Sequence, residues 1–237
     1  MTIEHVPYGF YEKYMKRLFD VFFSGIAMAV LSPIIGVTAL LVWINIGTPI
    51  IFQQERPGLN GQGFKLKKFR SMLAPQTRDG RKISDSERTE LIAKGIDVLS
   101  DEERLTKFGR ILRATSLDEL PELWNIFVGD MSIVGPRPLS TAYLPYYNEH
   151  ERHRHDVRPG LTGKAQVNGR NSICWEERFK LDVEYVNNIT LLEDIKIILK
   201  TISVVLKHSN IGQGSEIPES FHVIRQAEWN KKKEMKQ

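Results

Sequence analysis

From residue 21 to residue 47 the chain runs 27 positions without a charged side chain, VFFSGIAMAVLSPIIGVTALLVWINIG. A soluble core helix rarely stays uncharged for so long, and the remaining chain is too small to surround it, so the run predicts membrane immersion. It lacks a small-residue cleavage site and is too long for the apolar region of a secretory signal. Basic residues flank both ends: Lys13, Lys16 and Arg17 before, and Arg56, Lys65, Lys67, Lys68 and Arg70 after. Lys and Arg collect on the cytoplasmic side, so a simple crossing should be basic at one end only. Ser32-Pro33 stands mid-run, where proline removes a backbone donor and kinks a helix, and the serine hydroxyl can satisfy a freed carbonyl. Residues 21–31 and 34–46 would each reach roughly 16–20 Å, about half the hydrocarbon core of a bilayer. The pattern predicts a helix-break-helix that enters the membrane and returns, with a kinked single crossing as the alternative.

Beyond the run the periods change. Pro49-Ile50-Ile51-Phe52-Gln53 reads as a short strand, followed by turn chemistry at Arg56-Pro57-Gly58 and Asn60-Gly61. Residues 64–69, FKLKKF, alternate apolar and basic positions as a half-buried strand does. Residues 73–100 are polar and read as a surface excursion, with a short helix from Ser84 to about Ala93. Residues 101–115 carry one amphipathic helical pattern, with Leu105, Phe108, Ile111 and Leu112 on one side and Arg104, Lys107, Arg110 and Arg113 elsewhere. A second such pattern holds Ile195, Ile198, Leu199, Ile202, Val205 and Leu206. The last dozen residues read as a frayed basic tail.

A formal net charge of +4 points to polyanionic partners, whether lipid surface, nucleic acid or phosphorylated substrate. The single cysteine, Cys174, excludes an intramolecular disulfide framework and reads as a packing residue. His150, His153 and His155 crowd one segment with Arg152 and Arg154, but no cysteine or second histidine cluster accompanies them, so a solvated loop is expected rather than a metal site. The basic residues come with an apolar run rather than a nucleic-acid-reading module, which argues against nucleic acid.

The densest chemistry lies in LRATSLDELPELWNIFVGDMSIVGPRP, residues 112–138. Ser116 and Glu119 have capping-box spacing, while Pro121 suits a first helical turn; the two signals disagree on where the helix starts. Either start places the adjacent carboxylates of Asp118 and Glu119 at a helix N-terminus, where acidic residues are ordinarily caps. Their basic company lifts them above caps: Arg113 precedes them, Arg137 sits between Pro136 and Pro138, Lys68 and Arg70 follow an apolar segment, and Arg158 opens RPGLTG. Arginines pinned beside Pro and Gly suit bidentate phosphate binding.

In order, these pieces resemble the small monotopic phosphoglycosyl transferases, the bacterial sugar transferases. The matching stretches are KRLFD (16–20), Ser32-Pro33, QERPG (54–58), KFRSM (68–72), TSLDELPEL (115–123), GDMSIVGPRP (129–138), RPGLTG (158–163) and NGRN (168–171). The resemblance implies that Asp118 attacks the β-phosphate of a UDP-sugar, expels UMP and carries the sugar phosphate to polyprenyl (undecaprenyl) phosphate. It implies that Asp118 and Glu119 share a Mg2+ ion, or that Glu119 tunes Asp118, that Arg113 holds the lipid phosphate, and that Arg137 contacts the nucleotide. It also implies that Lys68, Arg70, Arg158, Gln166 and Asp182 complete the substrate-binding set, although a helix-surface charge is an equal reading for Asp182. Lys164 departs from the aromatic residue that relatives carry after Thr-Gly.

The expected fold is mixed α/β and mostly helical. It comprises an N-terminal segment with a re-entrant helix (1–47), a compact catalytic domain with short strands and interfacial amphipathic helices (48–210), and a C-terminal tail (211–237). The expected location is the cytoplasmic face of a bacterial inner membrane, against membrane lipid, with a homodimer left open. Two rival functions fit the same features: a metal-dependent nucleotide-sugar pyrophosphatase and a non-enzymatic membrane-surface scaffold.

Overall fold

The computed structural model describes residues 7, 9–169, 173–206 and 221–234. Helices dominate. In chain order the elements are α1 (Lys16–Asn45), β1 (Ile51–Pro57), β2 (Gly63–Phe69), α2 (Asp85–Ala93), α3 (Asp101–Arg104), α4 (Lys107–Ala114) and α5 (Glu122–Val128). Then follow β3 (Ser132–Val134), α6 (Glu149–Arg152), β4 (Gly160–Thr162), α7 (Lys164–Val167), α8 (Trp175–Asn187), α9 (Leu191–Leu206) and α10 (Phe221–Glu234). The chain divides into two compact units: residues 1–30, 53–66 and 122–237 form the first, and residues 31–52 and 67–121 the second.

The uncharged run forms the body of α1, which continues through Ser32-Pro33 as one element. With the turn before it, residues 11–45 make a helix long and apolar enough to cross a membrane, and only 11% of its most apolar window is buried. Phe22, Val30, Val37 and Ile44 are each more than half exposed, so this is not the core helix of a soluble protein.

In the first unit, the start of α1 is fixed by polar contacts. The Lys16 ammonium donates to Asp194 (2.7 Å) and to the Val134 carbonyl (3.0 Å). Arg17 donates to the carbonyls of Ile126 (2.6 Å) and Phe127 (2.9 Å), at the end of α5, and Asp20 accepts from the Ile133 amide (2.9 Å). The hydroxyls of Tyr11 and Tyr185 also donate to Asp194, at 2.7 Å each. Strands β3 and β4 pair in parallel, Ser132 against Gly160 and Val134 against Thr162. The chain around them runs so close that a Cβ at Gly160 would overlap the backbone of Gly135, which only glycine avoids. Val134, Tyr185, Ile189 and Ile197 form one core, and Tyr147, Trp175, Phe179 and Phe221 an aromatic second.

In the second unit, Val42 of α1, Phe69 of β2 and Leu112 of α4 form the core, with Ile35, Ala39, Phe108, Leu117 and Leu120 against it. The 73–100 excursion holds α2, whose N-cap Ser84 accepts from the Glu87 amide (3.0 Å) as its sequence predicts. Within the excursion Ile83 and Val98 are buried.

Several sequence expectations are corrected. Residues 101–115 are two helices, because Ser100 closes a capping box on α3, Leu105 is extended, and Thr106 caps α4 anew. Ser116 caps nothing with its side chain; it adopts φ 56° and leads into a single 3-10 turn, Leu117–Glu119. The histidine segment is not a solvated loop, since Glu151 of α6 and Arg154 and His155 of the turn after it are buried. Cys174 is exposed, ahead of α8. Much of the expected frayed tail is α10, held by buried Phe221 and by an Arg225–Glu151 ion pair of 2.6 Å. Arg170 and Asn171 of the NGRN stretch, and residues 207–220, lie outside the described residues.

Candidate active site

The acidic pair sits where the second unit's core reaches the surface. Leu117 and Leu120, three residues apart and so on one side of a 3-10 turn, pack into the Val42–Phe69–Leu112 core. That packing fixes the turn between them, which carries Asp118 and Glu119. Asp118 is 9% exposed. The Glu119 carboxylate accepts from the Lys68 ammonium at 2.8 Å, with both side chains only about one-fifth exposed, 22% and 21%. Lys68 lies near the end of β2, whose next residue, Phe69, is buried in the same core. The expected meeting of the acidic pair with a basic residue is therefore present.

Arg113 leaves the last turn of α4 and is exposed, donating Nε to the Ser71 hydroxyl (2.9 Å) and Nη2 to the Met72 sulfur (3.0 Å). Helix α4 lies against the chain at Ser71 because Gly109 has no Cβ; one would overlap the Ser71 carbonyl oxygen. Arg70 donates Nη1 to the Thr48 carbonyl (2.9 Å), and its amide bonds the Ile50 carbonyl (2.9 Å), which ties β2 to the segment after α1.

Among the described residues no group of three or more His, Cys, Asp or Glu side chains is arranged to hold a metal ion. Two adjacent carboxylates nevertheless fit Mg2+, which keeps several waters and commonly shares one or two protein carboxylates with substrate phosphates.

The remaining predicted residues belong to the first unit. Arg137 is exposed just beyond β3. Burial, and then the neighbouring Arg137 charge, pull the Arg56 guanidinium below its ordinary value. Arg158 donates Nε to the Gly129 carbonyl (2.9 Å), and Gln166 donates to the Leu161 carbonyl (3.0 Å) while its buried oxygen accepts from no described group. Asp182 is not a helix-surface charge. It is 2% exposed and takes two hydrogen bonds from Arg154, so its carboxylate serves a buried pair rather than facing a ligand. Lys164 pairs with Glu184 (2.6 Å) and Glu193 (3.3 Å) at a cleft of about 610 Å³ that Lys196 and Lys200 also line.

Arg154 is the residue that sequence reasoning missed. Its position inside a run of His and Arg resembles a wet surface, and its partner lies 28 positions away. Arg56 stood in a matching motif but gave no sign of its proximity to Arg137.

Residues 11–208 match the family model for bacterial sugar transferases. An uncharacterized sugar transferase of Bacillus subtilis, EpsL, is 44% identical over 86% of this chain and 93% of its own length. A UDP-glucose:undecaprenyl-phosphate glucose-1-phosphate transferase of Caulobacter vibrioides is 36% identical, over 82% of this chain and 71% of that protein. The galactosyl transferase CpsE of Streptococcus agalactiae is 40% identical over 81% of this chain but only 42% of its own length. The match covers α1, both acidic residues and every predicted binding arginine, and the chain belongs to the bacterial sugar transferase family.

Proposed function

We propose that this chain transfers a sugar-1-phosphate from a UDP-sugar to undecaprenyl phosphate through a covalent aspartyl-phosphosugar on Asp118. A carboxylate oxygen of Asp118 attacks the β-phosphorus, the bond from that phosphorus to the bridging oxygen breaks, and UMP leaves. An oxygen of the lipid phosphate then attacks the same phosphorus and frees the carboxylate, giving a polyprenyl diphosphosugar. Two in-line displacements at one acid let a soluble donor and a lipid acceptor use the site in turn. The product suits the first membrane step of surface glycan assembly.

The observation that carries this reading is the buried Asp118 beside a Glu119 held by Lys68, on a turn fixed by two core leucines. An anion attacking an anion needs positive charge supplied from fixed groups, each such group typically worth about a hundred- to thousandfold in rate. Lys68 is one such group; in this reading Arg113 receives the lipid phosphate, and Arg137 and Arg158 serve the nucleotide. Asp118 and Glu119 would hold Mg2+ with the diphosphate, and the ion would neutralise charge on the leaving phosphate.

In the same reading α1 bends at Ser32-Pro33 and returns, which keeps both basic flanks and the catalytic residues on the cytoplasmic face of the inner membrane. Labelling of an N-terminal cysteine from outside intact cells would reject that topology.

The test is mass spectrometry after mixing the purified chain with Mg2+ and UDP-glucose or UDP-galactose. The expected result is a hexose-phosphate adduct on Asp118 with one equivalent of UMP, absent from Asp118→Asn. Continued UMP release without lipid would favour a pyrophosphatase, and full turnover by Asp118→Asn would end the proposal.

A further inference from the structure

The most thoroughly buried ion pair in the first unit leads to a single backbone oxygen. Arg154 and Asp182 have side chains 1% and 2% exposed. Arg154 donates Nε (3.1 Å) and Nη2 (2.8 Å) to the same Asp182 oxygen, and Nη1 to the Tyr147 hydroxyl (3.3 Å). The guanidinium lies 5.7 Å from the ring centres of both Tyr147 and Phe179. Its remaining bond, Nη2 to the carbonyl of Arg137 at 2.7 Å, is the shortest it makes.

Pro138 follows Arg137, and a residue before proline is biased towards extended backbone. Upstream the same strand end is fixed twice: the Gly135 amide donates to the Thr162 carbonyl (2.9 Å), and the Pro136 carbonyl accepts from the Gly160 amide (3.0 Å). Three successive residues, 135 to 137, are thus each held by a hydrogen bond, and the third bond comes from Arg154. On this held backbone Arg137 is exposed. A buried charge pair is expensive to desolvate and is often replaceable by apolar residues without loss of stability, so stability alone is a weak account of it.

We infer that Arg154, held by Asp182, is a positioning residue that fixes the Arg137 backbone and thereby presents the Arg137 guanidinium to the nucleotide of the UDP-sugar. The inference rests on the proposed sugar-phosphate transfer and moves Asp182 from the substrate-binding set into the support behind it. A planar guanidinium reaches Asp182, Tyr147 and Arg137 at once; a lysine ammonium is a single point and cannot.

The experiment is a double-mutant cycle on the full chain in detergent, using whichever of UDP-glucose or UDP-galactose the wild type turns over with undecaprenyl phosphate. Arg154→Met combined with Asp182→Leu removes the pair as a unit and preserves the fold, and Arg154→Lys keeps the charge without the fork. Both are expected to raise the KM for the UDP-sugar about tenfold or more and leave the KM for lipid phosphate unchanged, since displacing a binding group by about 1 Å can cost on the order of a hundredfold. In an Arg137→Ala background the same changes should add nothing, because the group they aim is gone. Melting temperatures of all variants report the fold separately. A folded pair variant with unchanged donor KM, or a penalty that multiplies with Arg137→Ala, overturns the positioning role. Absence of transfer by the wild type overturns the proposed function itself and this inference with it.

Discussion

His155 makes an acid-sensitive point in the first unit. Its ring is 8% exposed, packs 5.4 Å from the Tyr147 ring, and has a buried Nε2 with no partner among the described residues. Burial, reinforced by the adjacent Arg154 charge, lowers its pKa to about 3. The unfolded chain would protonate the same ring near pH 6.5, so between these values the unfolded state binds the extra proton. The stabilising contribution is complete above about pH 6.5 and is lost as pH falls toward 3. With the two pKa values, the loss is about 2 kcal/mol at pH 5 and about 3 kcal/mol at pH 4, at 1.36 kcal/mol per pH unit of separation. Replacement by phenylalanine keeps the ring and removes the titration. Denaturant unfolding of wild type and His155→Phe at pH 7 and pH 5 isolates the effect, because the carboxylates common to both cancel in the difference. The variant should gain about 2 kcal/mol on wild type over that interval. A stability difference constant from pH 7 to pH 5 would refute a buried neutral ring.

Two further outcomes follow from packing. Gly109→Ala drives a methyl group into the Ser71 carbonyl, and since both are backbone-fixed the expected cost is about 2 kcal/mol or more, read as a lower melting temperature with weakened activity, because Arg113 and Ser71 move with it. Phe221→Ala empties the centre of the Tyr147–Trp175–Phe179 cluster and should cost about 3–5 kcal/mol by denaturant titration. A loss under about 1 kcal/mol would mean that α10 is dispensable to the domain, as the frayed-tail reading held.

What the sequence conveys well is what is local. The uncharged run, the Ser84 cap and the alternating FKLKKF stretch became α1, α2 and β2 within a few residues, because period and capping act over one or two turns. The acidic pair stands out in the sequence by its motif, and the fold brings Lys68 to Glu119. The break at Leu105-Thr106 was also written locally, in two caps six residues apart, but the amphipathic stripe ran across it and Leu105 counted as one of its members. Other features had no local trace. The parallel β3–β4 pair is three residues per strand, and Gly160 at the start of β4 and Gly135 just after β3 let the two segments come that close. Helix α10 reads as a polar tail until aromatic residues from two distant segments enclose Phe221. The Arg154–Asp182 pair joins a histidine-rich turn to a helix, and only the folded chain makes that junction.

The polar start of α1 has a consequence for the register of the helix within the first unit. Lys16, Arg17 and Asp20 are locked to α9, α5 and β3, so the first turns of α1 have one permitted rotation about their axis. A residue added or removed between Arg17 and Asp20 would turn one side of that lock by about 100° and shift it by about 1.5 Å, out of reach of its partners. The N-terminal helix is thus keyed to the unit it enters: three polar side chains, rather than apolar contact alone, set its phase there.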